Sequence, residues 1–183
     1  MDALGLDISS RLLREGKTGE AGLPLLRARG EHLPFDCGAL DGILCECVLS
    51  LLPEPGRALR EFHRVLHQGG SLILSDIYLR GGGGGERVPL EGEVLRQEQA
   101  DDCLKGARSA SFMETMLSEA GFAIHLWEDH TQSLRAFAAQ LVLAHGSMDM
   151  YSEGTNEIWC SGMSLPTRAV LRAGYYLLVA RKK

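Results

Sequence analysis

The sequence has no C-x-x-C pair among its five cysteines, Cys37, Cys45, Cys47, Cys103 and Cys160. Their odd number and wide spacing argue against a disulfide framework and a standard zinc knuckle, so reduced thiols are expected. Long apolar runs are missing too. Val48 to Leu52 and Leu72 to Leu74 are far shorter than the roughly 20 residues of a membrane span, and no basic-then-apolar leader precedes them. The expectation is a soluble, cytoplasmic protein with no membrane partner. Basic surplus is also absent: the net charge is -5 and the sequence pI about 5.7. Lysines and arginines are scattered rather than striped, which excludes the electrostatic footprint of a nucleic-acid binder.

What is present suffices for one core. The chain has 183 residues, 45% hydrophobic and 23% charged. At that size roughly two thirds of the unfolded surface is buried, so a single domain is the default. Residues 1–80 read as core strands and helices, 81–110 as a flexible connector, and 111–183 as later helices and strands with a lid-like loop at 147–164.

Ala3 to Ile8 reads as a short strand ending in an acid, with Ser9 or Ser10 capping a helix from about Arg11. Leu23 to Arg27 is a second apolar run, closed by a loop holding Gly30 and Pro34. Asp41 to Cys47 reads as a third strand. Ala58, Leu59, Phe62, Val65 and Leu66 share one helix face between Glu54 and His67, Gly69-Gly70 ends that helix, and Ser71 to Tyr78 follows as a strand. Ser111 with Glu114 makes a capping box for a helix stopped by Gly121. Phe122 to Trp127 alternates as a strand. Leu134, Phe137, Ala138, Leu141 and Val142 mark a further amphipathic helix, and Tyr175 to Arg181 a closing strand. Strands alternating with helices predict an α/β fold, with a mainly parallel sheet covered on both faces.

Taken in order, Gly5-Leu6-Asp7-Ile8-Ser9, Leu33-Pro34-Phe35, Leu40-Asp41-Gly42, the run from Glu61 to Gly70 and Asp76-Ile77-Tyr78 resemble a class I, Rossmann-like S-adenosylmethionine-dependent methyltransferase. The likeness is good over residues 3 to 80 and looser beyond. It implies that Asp7, closing the second strand of the family, accepts hydrogen bonds from both cofactor ribose hydroxyls; the alternative is that Asp7 caps the following helix. It also implies that Ile8 adjoins the cofactor and that Gly30 and Glu31 line the adenine. Arg29 stands where the family often has an aspartate. Cys45, on the strand ending near Cys47, lies at the cofactor end of the sheet, with simple packing as the alternative. Alternation points Cys45 and Cys47 to one face and Glu46 to the other. Glu46, Asp76 and Tyr78 lie near the strand mouths as candidates to orient or deprotonate a methyl acceptor.

The stretch Cys103-Leu104-Lys105-Gly106-Ala107 is more faintly similar to arsenite methyltransferases, in which several thiolates hold a metalloid. His63 and His67, one turn apart, have the spacing of a metal pair but lack a third ligand, and the helix dipole accounts for them; no metal is expected. The family's first strand and glycine-rich turn would precede Met1, and Gly81 to Gly85 does not replace them. Residues 1–183 therefore read as a truncated domain, incomplete at its N-terminal strand. Either the strands ending at Asp7 and near Cys47 close on each other, or each is left with an unpaired ladder open to a partner, a homodimer included. Methyl transfer to a small molecule is the expected function; a noncatalytic module pairing through its sheet edge is the alternative.

Overall fold

The computed structural model describes residues 3–17, 22–80, 106–145 and 173–183. The elements, in chain order, are β1 (Gly5–Asp7), α1 (Ser10–Gly16), β2 (Leu25–Arg27), β3 (Leu40–Glu46), α2 (Pro55–Val65), β4 (Leu66–Leu79), β5 (Arg108–Ser109), α3 (Ala110–Glu119), β6 (Phe122–Asp129), α4 (Thr131–His145) and β7 (Ala173–Lys182). A 3-10 turn, Leu49–Leu51, follows β3. Most of the connector and the lid-like loop lie outside the described residues, as do Cys103 and Cys160.

The fold is α/β and Rossmann-like. β1 and β2 form a parallel pair, while β3, β4, β7 and β6 lie side by side in that order, with β5 against the end of β4. β3 and β4 are parallel; β7 runs antiparallel to both β4 and β6. β1 and β3 belong to separate sheets and do not pair. Among the described residues β1 pairs only with β2 and β3 only with β4, so of the two outcomes open to the sequence the structure takes the second. Leu6 of β1 and Ile43 of β3 nevertheless pack against one core. The loops that follow β2 and β3 also approach each other, since a methyl on Gly30 would stand 3.4 Å from the Leu52 side chain.

α2 forms where Pro55 supplies the first helical residue with its φ already set, and it buries Pro55, Ala58, Leu59, Phe62 and Val65 along one face. That face lies on Leu72 and Leu74 of β4 in a shared core. The helix ends earlier than its sequence pattern suggests: Leu66 is already extended, and β4 continues through Gly69, which turns with a φ of 78°. α3 is capped by Ser109, whose hydroxyl accepts from Phe112 N–H at 3.2 Å, rather than by Ser111. Ser109 is itself the second residue of β5, so the chain turns helical two residues sooner. α4 leaves Phe137 42% exposed, against the inward placement its periodicity suggests. It meets the sheet at its first residue, Thr131, whose hydroxyl accepts from Tyr175 N–H.

The Glu-x-x-Arg phrase has a structural task. Arg64 forks onto Glu61, with Nε to Oε1 and Nη2 to Oε2 both at 2.9 Å, and also donates to the carbonyls of Phe35 and Leu33. Glu61 in turn accepts from Leu33 N–H at 3.0 Å. One ion pair thus ties the loop after β2 to α2. The Arg64 hydrogen bonds hold the Glu61 carboxyl down to about 2, from 4.5. A carboxyl lowered on folding stabilises the protein above its unfolded range, and that stability is lost as pH falls from about 4.5 toward 2. Glu61→Gln is expected to cost about 1–2 kcal/mol at neutral pH and to make acid denaturation less steep in that window. Urea melts at pH 7 and pH 3 check this.

Candidate active site at the strand ends

Three groups of residues stand at the carboxyl ends of the strands, where open α/β sheets bind ligands. The first is built by the end of β1. Asp7 is half-buried, and its Oδ1 accepts Ser9 N–H at 2.7 Å, which fixes the carboxylate while leaving Oδ2 to other donors. Ser9 itself caps α1, its Oγ accepting from Leu12 N–H at 3.3 Å. The helix cap is thus Ser9, and Asp7 braces the turn before it. Ile8 stands exposed beside Asp7, its carbonyl held by Arg27 Nε at 2.9 Å. Gly30 and Glu31 sit in a tight turn closed by His32 N–H to the Arg29 carbonyl, beyond the parallel partner of β1.

The second group surrounds the end of β3, and here alternation fails. Cys45 is buried in the core, and burial pushes its thiol up to about 12. Cys47 follows the last strand residue with a φ of 51°, a left-handed conformation uncommon outside glycine. Its Sγ lies 3.4 Å from the Tyr175 hydroxyl. By register Tyr175 lies opposite Ile77, and it alternates with Tyr176, which packs in the core with Cys45. The two cysteines are therefore set on opposite faces, contrary to the expectation for a continuing strand. Cys37 lies elsewhere, exposed near Arg64. Glu46 is exposed.

The third group fills the space behind β4. Asp76 is 2% exposed and accepts three hydrogen bonds: Ser50 N–H at 2.8 Å, Ser50 Oγ–H at 2.8 Å and Ile77 N–H at 2.7 Å. Burial raises its carboxyl above the ordinary aspartate range despite those donors. Tyr78 meets Trp127 and Tyr176 edge-on, with ring centroids 5.7 and 6.1 Å away, and burial raises its hydroxyl as well. Asp76 and Tyr78 thus share the core side of β4, whereas Glu46 stands on the other face, in register with Ser75. The structure does not bring the three together. Ser75 is 6% exposed, and among the described residues its hydroxyl has no partner within hydrogen-bond geometry.

Sequence reasoning missed Ser50, Ser75 and Tyr175. Ser50 lies in a 3-10 turn with no side-chain periodicity to mark it, but Tyr175 opens the last strand, a position that could have been aligned with the ends of β3 and β4. His63 and His67 do not act as a pair: His63 packs edge-on against Phe122, while His67 Nε2 approaches Asp41 at 3.3 Å. The contrast between the cysteines is testable. With the protein folded at pH 8, iodoacetamide is expected to label Cys37 at least about tenfold faster than Cys45, because the thiolate is the nucleophile. Peptide mass mapping reads it out, and equal rates would contradict the buried placement.

Residues 1–74 match the family described as "Methyltransferase domain". An arsenite methyltransferase of Halobacterium salinarum is 29% identical over 92 residues, which is 50% of this chain and 22% of that protein. Among solved structures, the [4+2]-cyclase SpnF superposes with a TM-score of 0.68 at 25% identity, covering 98% of this chain and 65% of that one. Phosphoethanolamine N-methyltransferase 2 of Haemonchus contortus, solved with S-adenosyl-L-methionine, superposes with a TM-score of 0.66 at 13% identity, covering 99% of this chain and 43% of that one. The chain thus spans under a quarter of the arsenite enzyme and less than two thirds of either structure. Over its first 74 residues the chain is thus similar to the methyltransferase-domain family, and its fold as a whole is that of the Rossmann-like methyltransferases.

Proposed function

We propose that the chain serves methyl transfer from S-adenosylmethionine to a small-molecule acceptor, with Asp7 receiving the cofactor's ribose. The observation behind this reading is the Asp7 carboxylate, fixed through one oxygen by Ser9 N–H at the carboxyl end of a parallel strand. A carboxylate with a free oxygen suits a vicinal diol, and charge-assisted bonds of this kind contribute about 1.5–3 kcal/mol. Exposed Ile8 offers an apolar surface beside it. Gly30 and Glu31 keep their proposed place along the adenine, through the backbone of their turn. Cys45 contributes packing only, because its side chain is in the core.

The residues present fit the sugar end of the cofactor. Among the described residues nothing spans the free edges of β1 and β3, so the isolated chain is expected to bind the cofactor weakly. When bound, the cofactor supplies an electrophilic methyl on a sulfonium, and transfer then depends mainly on in-line placement of the acceptor. Of the three acceptor-side candidates, Glu46 is the one open to solvent. It is assigned to orient or deprotonate the acceptor, while Asp76 and Tyr78, on the core side of the sheet, are assigned structural roles. The acceptor class is tested by labelled-methyl transfer to a panel of small amines, thiols and trivalent metalloids at saturating cofactor. Transfer that drops in Glu46→Gln supports the reading; silence from a folded chain across the panel opposes it.

A second reading rests on the edges of β1 and β3 that have no strand partner among the described residues. Exposed amides and carbonyls of this kind invite strand addition, and a chain that methylates nothing would act as a binding module through them. Hydrogen exchange separates the two readings. Slow exchange at the outer edge of β3 only when another chain is added favours the module.

A further inference from the structure

The chain leaves β3 through a turn that its own backbone disfavours. Glu46 is the last strand residue and lies in register with Ser75 of β4. Cys47 then turns left-handed with a φ of 51°, a conformation in which a Cβ crowds the backbone and which glycine adopts freely. Two of the bonds that hold it there reach neighbouring strands: its N–H donates to the Ser75 carbonyl at 2.7 Å, and its Sγ lies 3.4 Å from the Tyr175 hydroxyl. The first is open to any residue but proline at this position; the second depends on the side chains of Cys47 and Tyr175. Tyr175 is firmly placed. It pairs with Ile77 of β4, its N–H donates to the Thr131 hydroxyl at 3.2 Å, and its carbonyl accepts from His130 N–H at 2.8 Å. The residue before it sits hard against β4, since a methyl on Gly174 would collide with the Tyr78 ring. Burial pushes the Tyr175 phenol up to about 12, so at neutral pH it keeps its proton and can donate to the sulfur.

We propose that Tyr175 is a positioning residue of the acceptor site: its hydroxyl pins the left-handed turn at Cys47, and the turn sets where Glu46, one residue earlier, stands at the strand mouth. The inference rests on the reading of Glu46 as the group that orients or deprotonates the acceptor. Among the described residues no hydrogen bond or ion pair fixes the Glu46 carboxylate, so its place is set by the backbone that carries it. Without the anchor, Cys47 relaxes toward the extended or right-handed backbone that a residue with a Cβ prefers, and the carboxylate moves with it. A misplacement of about 1 Å at a reacting group is enough to slow the chemistry about a hundredfold. Tyr175 thus acts on the acceptor through Cys47 and Glu46, from a strand that the sheet and Thr131 hold still.

Labelled-methyl transfer at saturating S-adenosylmethionine, to an acceptor that the parent chain uses, tests the proposal through double-mutant cycles. Tyr175→Phe keeps the ring and removes the hydroxyl; it is expected to lower kcat about tenfold while the KM for the cofactor stays within about twofold. Cys47→Ala removes the same bond from the β3 side and should match it, which keeps the test open if one of the two folds poorly in a melting curve. In a Glu46→Gln background, Tyr175→Phe should lower kcat by less than about a further twofold, because the group it positions is already gone. It should add as little in a Cys47→Gly background, since glycine holds the turn without an anchor. A full additive loss in either background overturns the proposal, as does an unaltered kcat in Tyr175→Phe and Cys47→Ala. Collapse of both folds would mark the bond as structural and overturn it too. A parent chain that methylates no acceptor on the panel removes the Glu46 reading and the proposal with it, whereas an active parent with additive variants removes the proposal alone.

Discussion

Asp76→Ala is expected to cost the fold about 3 kcal/mol or more, because it strands the buried donors of Ser50 and the Ile77 amide at once, each worth about 1–3 kcal/mol when unsatisfied. Asp76 binds the 3-10 turn after β3 to the carboxyl-terminal part of β4, and this joint is tight on its other side also. A methyl on Gly106 would fall 1.6 Å from the Ser50 carbonyl oxygen. Asp76→Asn should recover only part of the loss, since an amide nitrogen would face the Ser50 N–H as donor against donor. The sign with pH is opposite to that of Glu61. A carboxyl raised on folding makes the protein less stable as pH climbs through the aspartate range, yet the alanine variant still loses more than it gains at neutral pH. Urea melts at pH 7 measure the cost. A change below about 1 kcal/mol would mean that the three hydrogen bonds are not holding the turn.

Asp7→Asn carries the largest expected effect on ligand binding. An asparagine carbonyl keeps the bond from Ser9 N–H, so α1 and its cap stay in place, while the charge offered to a diol is removed. Losing charge-assisted bonds worth about 1.5–3 kcal/mol should weaken S-adenosylmethionine binding by about 10- to 150-fold. Thermal stability without ligand should barely move, because the position is only half-buried and surface substitutions of this kind stay within about 0.5 kcal/mol. Equilibrium dialysis with labelled cofactor, alongside a melting curve, separates the two effects. Equal loss of both would reduce Asp7 to a structural brace.

Much of this arrangement was legible in the residues, and the failures have physical causes. The face of α2 was readable because Ala58, Leu59, Phe62 and Val65 repeat with the helical period, and each is buried. The acid at the end of β1 was readable from strand, acid and serine cap in succession. Less could be read where backbone geometry departs from its period. At Cys47 a φ of 51° turns the side chain out of the alternation, a conformation that sequence does not announce for cysteine. Asp76 and Tyr78 were placed correctly along β4, but parity along a strand does not say which face the helices cover. Both therefore turned out to face the core, where Ser50 and Trp127 meet them. The direction of β7 was likewise unreadable: a local apolar pattern carries no information on whether its neighbours run with it or against it.

The central claim is that Asp7 and the residues about it form the cofactor's sugar site. A two-dimensional amide spectrum recorded during titration with S-adenosylmethionine tests it most directly. The account predicts weak, saturable shifts at Asp7, Ile8, Ser9 and the turn from Arg29 to His32, all lost in Asp7→Asn. Tight binding that ignores this substitution, or shifts confined to another part of the sheet, would contradict it.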